Sequence, residues 1–144
     1  MNIEDVTVVT DELVEKLGRL MTQLSQSASP PTHEELQQIV DAEGIYLLVA
    51  KESENVVGTL TLVLFRIPTG VRAWIEDVVV DELARGLGIG KALSRRALVL
   101  AKENGARTVD LTSRPSREAA NHLYQRLGFK PRNTNVYRYF LESN

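Results

Sequence analysis

A glycine-rich segment that follows a strand-like run and precedes a helix-like run constrains this chain more than any other feature. Val78-Val79-Val80 leads through four residues into Arg85-Gly-Leu-Gly-Ile-Gly-Lys91, where helical spacing of apolar residues begins. The first amides of a helix lack partners within the helix, and the helix dipole is positive at that end. Glycines let the backbone approach an anion without an intervening Cβ. The segment therefore predicts a phosphate or pyrophosphate site.

Two common phosphate-binding motifs do not fit this segment. The phosphate loop of nucleotide triphosphatases requires glycine where Arg85 stands and serine or threonine where Ala92 stands. The dinucleotide fingerprint G-x-G-x-x-G lacks its third glycine, whether the count starts at Gly86 or at Gly88. Asp110 does lie about 20 residues further on, where a dinucleotide fold places its ribose-binding acid. A nucleotide-binding Rossmann domain is therefore kept as a rival interpretation.

A third pattern, R-x-x-G-x-G, does fit from Arg85 to Gly90. In its position between a strand and a helix, it resembles the signature of the GNAT superfamily of N-acetyltransferases. The resemblance implies an acyl-CoA N-acyltransferase fold, with acetyl-CoA as co-substrate. It also implies that the pyrophosphate binds to the turn residues, which are Arg85, Gly86, Leu87, Gly88, Ile89, Gly90 and Lys91.

Hydrophobic periodicity predicts an α/β chain with the order βααβββαβαβ, in which a mixed, mostly antiparallel sheet carries helices on both faces. The predicted strands cover residues 3–9, 45–51, 56–65, 71–80, 108–112 and 136–141. The predicted helices cover residues 11–26, 32–44, 87–104 and 116–127. Thr32, followed three residues later by Glu35, predicts a capping box. We expect residues 1–144 to form a single N-acetyltransferase domain.

A second motif lies downstream, from Asn121 to Phe129. Its sequence Asn-His-Leu-Tyr-Gln-Arg-Leu-Gly-Phe resembles the family's N-x-x-[YF]-x-x-x-G-F segment. The resemblance implies that Asn121 binds the pantetheine arm and that Tyr124 protonates the departing coenzyme A thiolate. A phenol is a suitable donor to a thiolate whose conjugate acid has a pKa near ~8.5. Taken alone, a tyrosine next to Leu123 and near Leu127 is more typical of core packing.

Acetyl transfer needs a neutral amine, which a general base usually provides. Glu76 and Asp77 are adjacent carboxylates that strand alternation turns to opposite faces, unless a bulge intervenes. In related acetyltransferases, including the glucosamine-phosphate branch, an Ile-Glu-Asp sequence stands in this register. Glu76 is therefore the first candidate base, Asp77 the second, and a bound water a third possibility. The resemblance also implies that Val78, Val79 and Val80 bind the cofactor, with oxyanion stabilisation near Val78.

The sequence says less about what binds the 3′-phosphate of coenzyme A and about which acceptor is used. Arg114 and Arg117 are candidates for binding the 3′-phosphate of coenzyme A. The resemblance places acceptor selection in the first two helices and their loops, Asp11 to Gly44, where no motif identifies the acceptor. A small amine, an amino sugar and a protein amine all stay open.

Composition excludes several functional classes. The chain has no cysteine and two histidines, so no disulfide, thiolate site or metal is expected. A net charge of −2 does not indicate the basic surface that nucleic-acid-binding proteins usually have. No signal-peptide pattern is present, and no apolar run reaches the ~18 residues of a membrane helix. We expect a cytoplasmic monomer or homodimer without a membrane or nucleic-acid partner.

Together these features predict an enzyme that moves acetyl from acetyl-CoA directly to a primary amine, without a covalent enzyme intermediate. The alternative is a non-catalytic acyl-CoA-binding sensor or interaction module on the same fold. Such a module would keep the glycine-rich turn and lose the chemistry. The presence of both Tyr124 and Glu76 favours the enzyme.

Overall fold

The computed structural model describes residues 1–27 and 29–142, in which five strands and four α-helices form. The strands are β1 (Asn2–Asp5), β2 (Ile45–Glu52), β3 (Asn55–Ile67), β4 (Gly70–Val80) and β5 (Ala106–Asp110). The helices are α1 (Asp11–Leu24), α2 (His33–Asp41), α3 (Ile89–Glu103) and α4 (Glu118–Arg126). The chain divides into two compact units, a first unit of Met1–Ser113 and a second unit of Arg114–Asn144.

The first unit is built on one sheet whose strand order follows the chain, β1-β2-β3-β4-β5. The first four strands pair antiparallel, and β5 pairs parallel to β4. Two-residue turns join β2 to β3 and β3 to β4, which is sufficient for antiparallel neighbours. The parallel pair needs a longer crossover, which α3 provides. The predicted mixed, mostly antiparallel sheet is confirmed.

Helices cover both faces of this sheet. On one face, α1 and α2 pack with Leu47 and Val49 in a shared apolar cluster. On the other face, Gly58 of β3 lies directly under α3. A Cβ at Gly58 would come within 2.9 Å of Ile89 Cγ2 and 3.2 Å of Leu93 Cδ1. The absence of a side chain at this position therefore lets α3 lie close to the sheet, and it sets where the N-terminus of α3 is presented.

The start of α2 follows the sequence prediction. The Thr32 Oγ1 atom accepts a hydrogen bond from the Glu35 backbone N–H at 3.1 Å, and the Thr32 N–H donates to Glu35 Oε1 at 3.0 Å. The predicted capping box is therefore confirmed. By contrast, α3 begins at Ile89 and not at residue 87, because Gly86 and Gly88 have φ values of +84° and +80°, outside the helical region. The other element bounds differ from the predictions by a few residues.

The second unit contains α4. The prediction of a sixth strand over residues 136–141 is wrong. No strand forms in the described part of this unit. The apolar side chains of the segment are instead 71–92% exposed, and they are Val136, Tyr137, Tyr139, Phe140 and Leu141. Alternation in a sequence indicates which side chains would share a face. A strand exists only where neighbouring backbone groups complete its hydrogen bonds.

Candidate functional site

The entry to the glycine-rich turn is anchored by three backbone amides. The Asp81 N–H donates to the Val57 carbonyl oxygen at 2.8 Å, which continues the pairing of β3 with β4. The Glu82 N–H donates to Gln23 Oε1 at 3.0 Å, and the Leu83 N–H donates to Asp81 Oδ1 at 3.1 Å. The chain is therefore held in place immediately before the turn begins.

The turn itself leaves its amides uncovered. Gly88 is the N-cap of α3, has φ +80°, and provides no side-chain cap for the first N–H groups of the helix. A Cβ built at Gly86 or at Gly88 would meet no atom within 4 Å. Glycine suits these two positions because both need a left-handed backbone. The open space in front of the α3 N-terminus is what an incoming anion would require.

Positive charge flanks this open space. Arg85 and Lys91 are exposed, and neither forms an ion pair with another residue in the part of the chain that the structure describes. Leu83, just before the turn, and Leu87, within it, are also exposed, by 95% and 64%. The turn therefore presents open amides and two uncommitted cations, a combination suited to a pyrophosphate.

Strand β4, which leads into the turn, contains a bulge. Thr59 of β3 pairs with Val79, and Thr61 pairs with Glu76, so Asp77 and Val78 together lie opposite one residue of β3. Asp77 has φ +50°, which is uncommon for a residue other than glycine. The strict alternation expected of a strand is therefore broken at the two carboxylates.

The bulge gives the two carboxylates different surroundings. Glu76 is exposed, and its Oε1 atom accepts a hydrogen bond of 2.5 Å from the Trp74 indole N–H. Asp77 is also exposed, but it lines a cavity in the first unit. The sequence resemblance favours Glu76 ahead of Asp77 as the base. The geometry brings Asp77, and not Glu76, to the edge of an apolar recess.

This recess, which we call the helix cavity, lies between helices α1 and α2 and strands β2, β3 and β4. Its volume is about 290 Å³. Its apolar lining consists of Leu17, Met21, Leu24, Pro31, Leu36, Ile39 and Leu47, and its polar lining of Ser25, Ser29, Thr59, Thr61 and Asp77. Because Asp77 is exposed, the cavity opens to solvent where the carboxylate lies.

A second, larger recess of about 550 Å³ runs along β1. Its charged side chains are already engaged, because Lys51 pairs with Glu4 at 2.9 Å and Arg96 pairs with Asp5 at 2.9 Å. It includes no residue of β4 or of the glycine-rich turn. Because its four charged side chains neutralise one another in pairs, this recess offers less to a charged ligand than the helix cavity does.

Strands β4 and β5 separate before β4 ends. Their ladder covers Val71 to Trp74, and no strand partner lies on the β5 side of β4 from Ile75 to Val80 within the described residues. The backbone on that side is therefore available to another extended chain. Val78 and Val80 are half-buried, whereas the Val79 side chain is 4% exposed and belongs to the core. Val79 can therefore contribute to a ligand only through its backbone.

In the second unit, α4 holds the two residues of the downstream motif. The Asn121 Nδ2 atom donates to the Arg114 carbonyl oxygen at 2.9 Å, which ties the start of α4 to the preceding turn. The Tyr124 ring is 7% exposed and meets the Phe129 ring edge to face, with 5.7 Å between centroids. Burial raises the pKa of the Tyr124 hydroxyl, and the charge of Arg117 opposes that rise in part.

The residues predicted for the site divide between the two units. Those from Glu76 to Lys91 belong to the first unit, and Asn121 and Tyr124 belong to the second. Eight of the twelve residues that line the helix cavity lie within Asp11 to Gly44, the region in which the resemblance places acceptor selection. The sequence did not single out the individual lining residues, because the helical spacing of Leu17 and Leu24 predicts core packing equally well.

Within residues 1–27 and 29–142, no group of three His, Cys, Asp or Glu side chains could hold a metal ion. Over the same residues, no helix combines the length and the apolar character needed to cross a membrane.

Known proteins share both sequence and fold with this chain. A family model described as Acetyltransferase (GNAT) family matches residues 11–129. N-alpha-acetyltransferase 30 of Schizosaccharomyces pombe is 36% identical over 73 residues, which is 51% of this chain and 48% of that protein. Probable glucosamine 6-phosphate N-acetyltransferase 2 of Oryza sativa subsp. japonica is 39% identical over 66 residues, which is 46% of this chain and 38% of that protein. The chain thus spans less than half the length of these two curated relatives.

The fold is shared with a solved structure. A putative acetyltransferase from Agrobacterium tumefaciens superposes with a TM-score of 0.86 at 23% sequence identity, and the match covers 97% of this chain and 100% of that one. This likeness concerns the fold alone.

Proposed function

This chain belongs to the acetyltransferase (GNAT) family, and from that premise we propose that it transfers an acetyl group from acetyl-CoA directly to a primary amine. The observation that carries the proposal is the open glycine-rich turn at the N-terminus of α3, directly after a bulged strand with one unpaired edge. Both features have a geometry suited to the donor: the turn to its pyrophosphate and the strand edge to its pantetheine arm.

In this proposal acetyl-CoA is bound mainly by backbone groups of the protein. The amides from Arg85 to Lys91 hold the pyrophosphate, and the side chains of Arg85 and Lys91 add charge. The pantetheine arm lies along β4 and hydrogen-bonds to the backbone at Val78 and Val80, with Val79 between them. Asn121 contacts the same arm, and Arg114 and Arg117 are the proposed partners of the 3′-phosphate.

The chemistry then needs one base and one acid. A carboxylate, directly or through a water, takes a proton from the acceptor ammonium, and the neutral nitrogen attacks the thioester carbonyl carbon. A backbone N–H near Val78 stabilises the oxyanion. As the tetrahedral intermediate collapses, the carbon–sulfur bond breaks and Tyr124 donates its proton to the leaving thiolate. The nitrogen still bears an extra proton after its attack, and loss of that proton leaves the neutral amide and, directly or through water, reprotonates Tyr124. A tyrosine hydroxyl is protonated at neutral pH, as a general acid must be, and burial, which raises the pKa of Tyr124, leaves that state unchanged.

Two carboxylates compete for the role of base. Glu76 already accepts a hydrogen bond from the Trp74 indole, whereas Asp77 lies at the edge of the helix cavity. This difference supports Asp77 ahead of Glu76 and reverses the order expected from sequence. Substitution of each by its amide, with the acceptor held constant, separates the two.

The proposal is tested by two measurements on the same preparation. Calorimetry should show acetyl-CoA binding, and release of free thiol should show its consumption in the presence of a panel of amines. Binding without turnover on any acceptor would support the non-catalytic acyl-CoA sensor. Binding of NAD without binding of acetyl-CoA would overturn the assignment of the turn.

A further inference from the structure

We propose that the acceptor is a primary amine with an apolar body, which fills the helix cavity while its ammonium group meets Asp77. This inference rests on the acetyl transfer proposed above, and it narrows the acceptor left open by the sequence. Its basis is the chemistry of the cavity lining, the charge at its edge and its volume.

The lining is mainly apolar, with seven apolar side chains beside four hydroxyl groups and one carboxylate. Leu17, Leu36 and Leu47 are 1–5% exposed, so they form a firm wall. Thr59 is 1% exposed, and its hydroxyl already donates to the Leu48 carbonyl oxygen at 2.8 Å. An acceptor with many hydroxyl groups would lose its hydration here without gaining enough partners. An amino sugar or an aminoglycoside therefore fits this cavity poorly.

The charge at the cavity also selects against phosphorylated acceptors. Asp77 is the one charged side chain among the described residues of the lining, which includes no Lys, Arg or His. A sugar phosphate would bring a dianion close to this carboxylate without a cation to balance it. A primary ammonium group complements the same carboxylate. The cavity thus favours a cation on an apolar stem.

The volume sets the size of that stem. The helix cavity measures about 290 Å³, whereas an apolar cavity of ~150 Å³ binds benzene. About twice that volume accommodates a phenyl ring with a short alkylamine, or the leucine side chain and backbone of a peptide N-terminus. Both sources share one chemistry, a primary amine attached to an apolar group. They differ in what continues beyond the cavity.

Four acceptors distinguish these possibilities with the intact chain: phenethylamine, a short peptide with an N-terminal leucine, glucosamine and glucosamine 6-phosphate. Binding is measured by ligand-observed NMR, which does not depend on turnover, and kcat/KM is measured by thiol release. We expect both apolar amines to bind, and the better of them to exceed glucosamine 6-phosphate in kcat/KM by about 100-fold or more. Preference for phenethylamine indicates a free amine, and preference for the peptide indicates a protein N-terminus.

A matched pair of variants tests the cavity directly. Met21→Arg places a cation in the lining, whereas Thr22→Arg places the same charge on an exposed position of the same helix. Met21→Arg should weaken phenethylamine binding and improve binding of glucosamine 6-phosphate relative to the unmodified chain, and Thr22→Arg should change neither. Met21→Leu, which keeps the apolar lining, should retain phenethylamine binding and so show that the fold tolerates change at this position.

Failure of this inference is distinct from failure of the proposed function. If glucosamine or glucosamine 6-phosphate binds better than both apolar amines, the inference is wrong, even where acetyl transfer occurs. If acetyl-CoA neither binds nor is consumed, the proposed function is wrong. The NMR ranking of the four amines then still decides what the cavity accepts.

Discussion

The glycine-rich turn and the helix cavity lie in the same unit, yet they are built in opposite ways. The turn consists of consecutive residues, and what it can bind depends on backbone amides and on the positive φ values of Gly86 and Gly88. The helix cavity takes its lining from two helices, three strands and a loop, and what it can bind depends on side-chain shape and one carboxylate. A site formed by consecutive backbone groups can be recognised as a sequence motif. A site formed by side chains from several elements can be recognised only once those elements are packed together.

Because the two sites are built differently, they also differ in how selectively each can bind its substrate. Backbone amides at a helix N-terminus bind any phosphate of suitable shape, so the turn suits an acetyl donor that is common to a whole family. The lining of a cavity discriminates by size, polarity and charge, so it suits an acceptor that varies between relatives. We therefore expect substitutions in the turn to affect the donor alone and substitutions in the cavity to affect the acceptor alone.

The largest effect is expected at the cavity edge. Asp77→Asn should lower kcat/KM for the amine by about 100-fold or more, because it removes the proposed base while leaving acetyl-CoA affinity unchanged. Asparagine tolerates the left-handed backbone that Asp77 adopts, so the bulge should persist. Glu76→Gln is the matched control and should change kcat/KM by less than about threefold. A larger loss at Glu76 than at Asp77 would restore the order that the sequence suggested.

A smaller effect is expected in the turn. Gly88→Ala should weaken acetyl-CoA binding by about tenfold to 100-fold, because its Cβ would enter the space in front of the α3 amides. Gly105→Ala is the control, since Gly105 follows α3 with φ +79° and also has no atom within 4 Å of a built Cβ. Both variants carry the strain of a left-handed alanine, about 1–3 kcal/mol. Equal dissociation constants for the two, measured by calorimetry, would remove the pyrophosphate from this turn.

Tyr124 belongs to neither region and tests whether acetyl transfer needs a group from the second unit. Tyr124→Phe should lower kcat by about tenfold, towards the lower end of what acid–base catalysis contributes, since a thiolate is a good leaving group. Acetyl-CoA affinity should stay within about twofold. The substitution keeps the ring that packs on Phe129, so a loss of turnover is attributable to the hydroxyl. Unchanged single-turnover rates would exclude Tyr124 as the acid.

The smallest effect concerns stability at high pH. Burial raises the pKa of Tyr124 in the folded chain above its ordinary value of 10.0. A group whose folded pKa is raised contributes stability that is fully present below the unfolded pKa and is lost as pH rises through the folded pKa. The urea midpoint of the wild-type chain should therefore fall more steeply above about pH 10 than that of Tyr124→Phe. Parallel curves for the two proteins would contradict the buried, neutral phenol.

Local sequence signals were reliable where local physics decides the structure. Thr32 and Glu35 predicted a capping box because both hydrogen bonds of that motif connect residues within one turn. Val136 to Leu141 predicted a strand from alternation alone, and the described chain has none there, because a strand depends on a partner distant in sequence. The same reason explains why the sequence favoured Glu76 over Asp77 as the base. The bulge at Asp77 is defined by the pairing of β4 with β3, which lies outside the local sequence.

The sequence by itself determined the glycine-rich turn, the family and the order of elements through the first unit. Spacing of glycines and apolar residues along the chain is sufficient for these, because each depends on backbone geometry within a few residues. Only the tertiary structure decided which carboxylate lies beside the helix cavity and what that cavity is lined with. These depend on strand pairing and helix packing between residues far apart in sequence, such as Met21 and Asp77, and no local pattern encodes that contact.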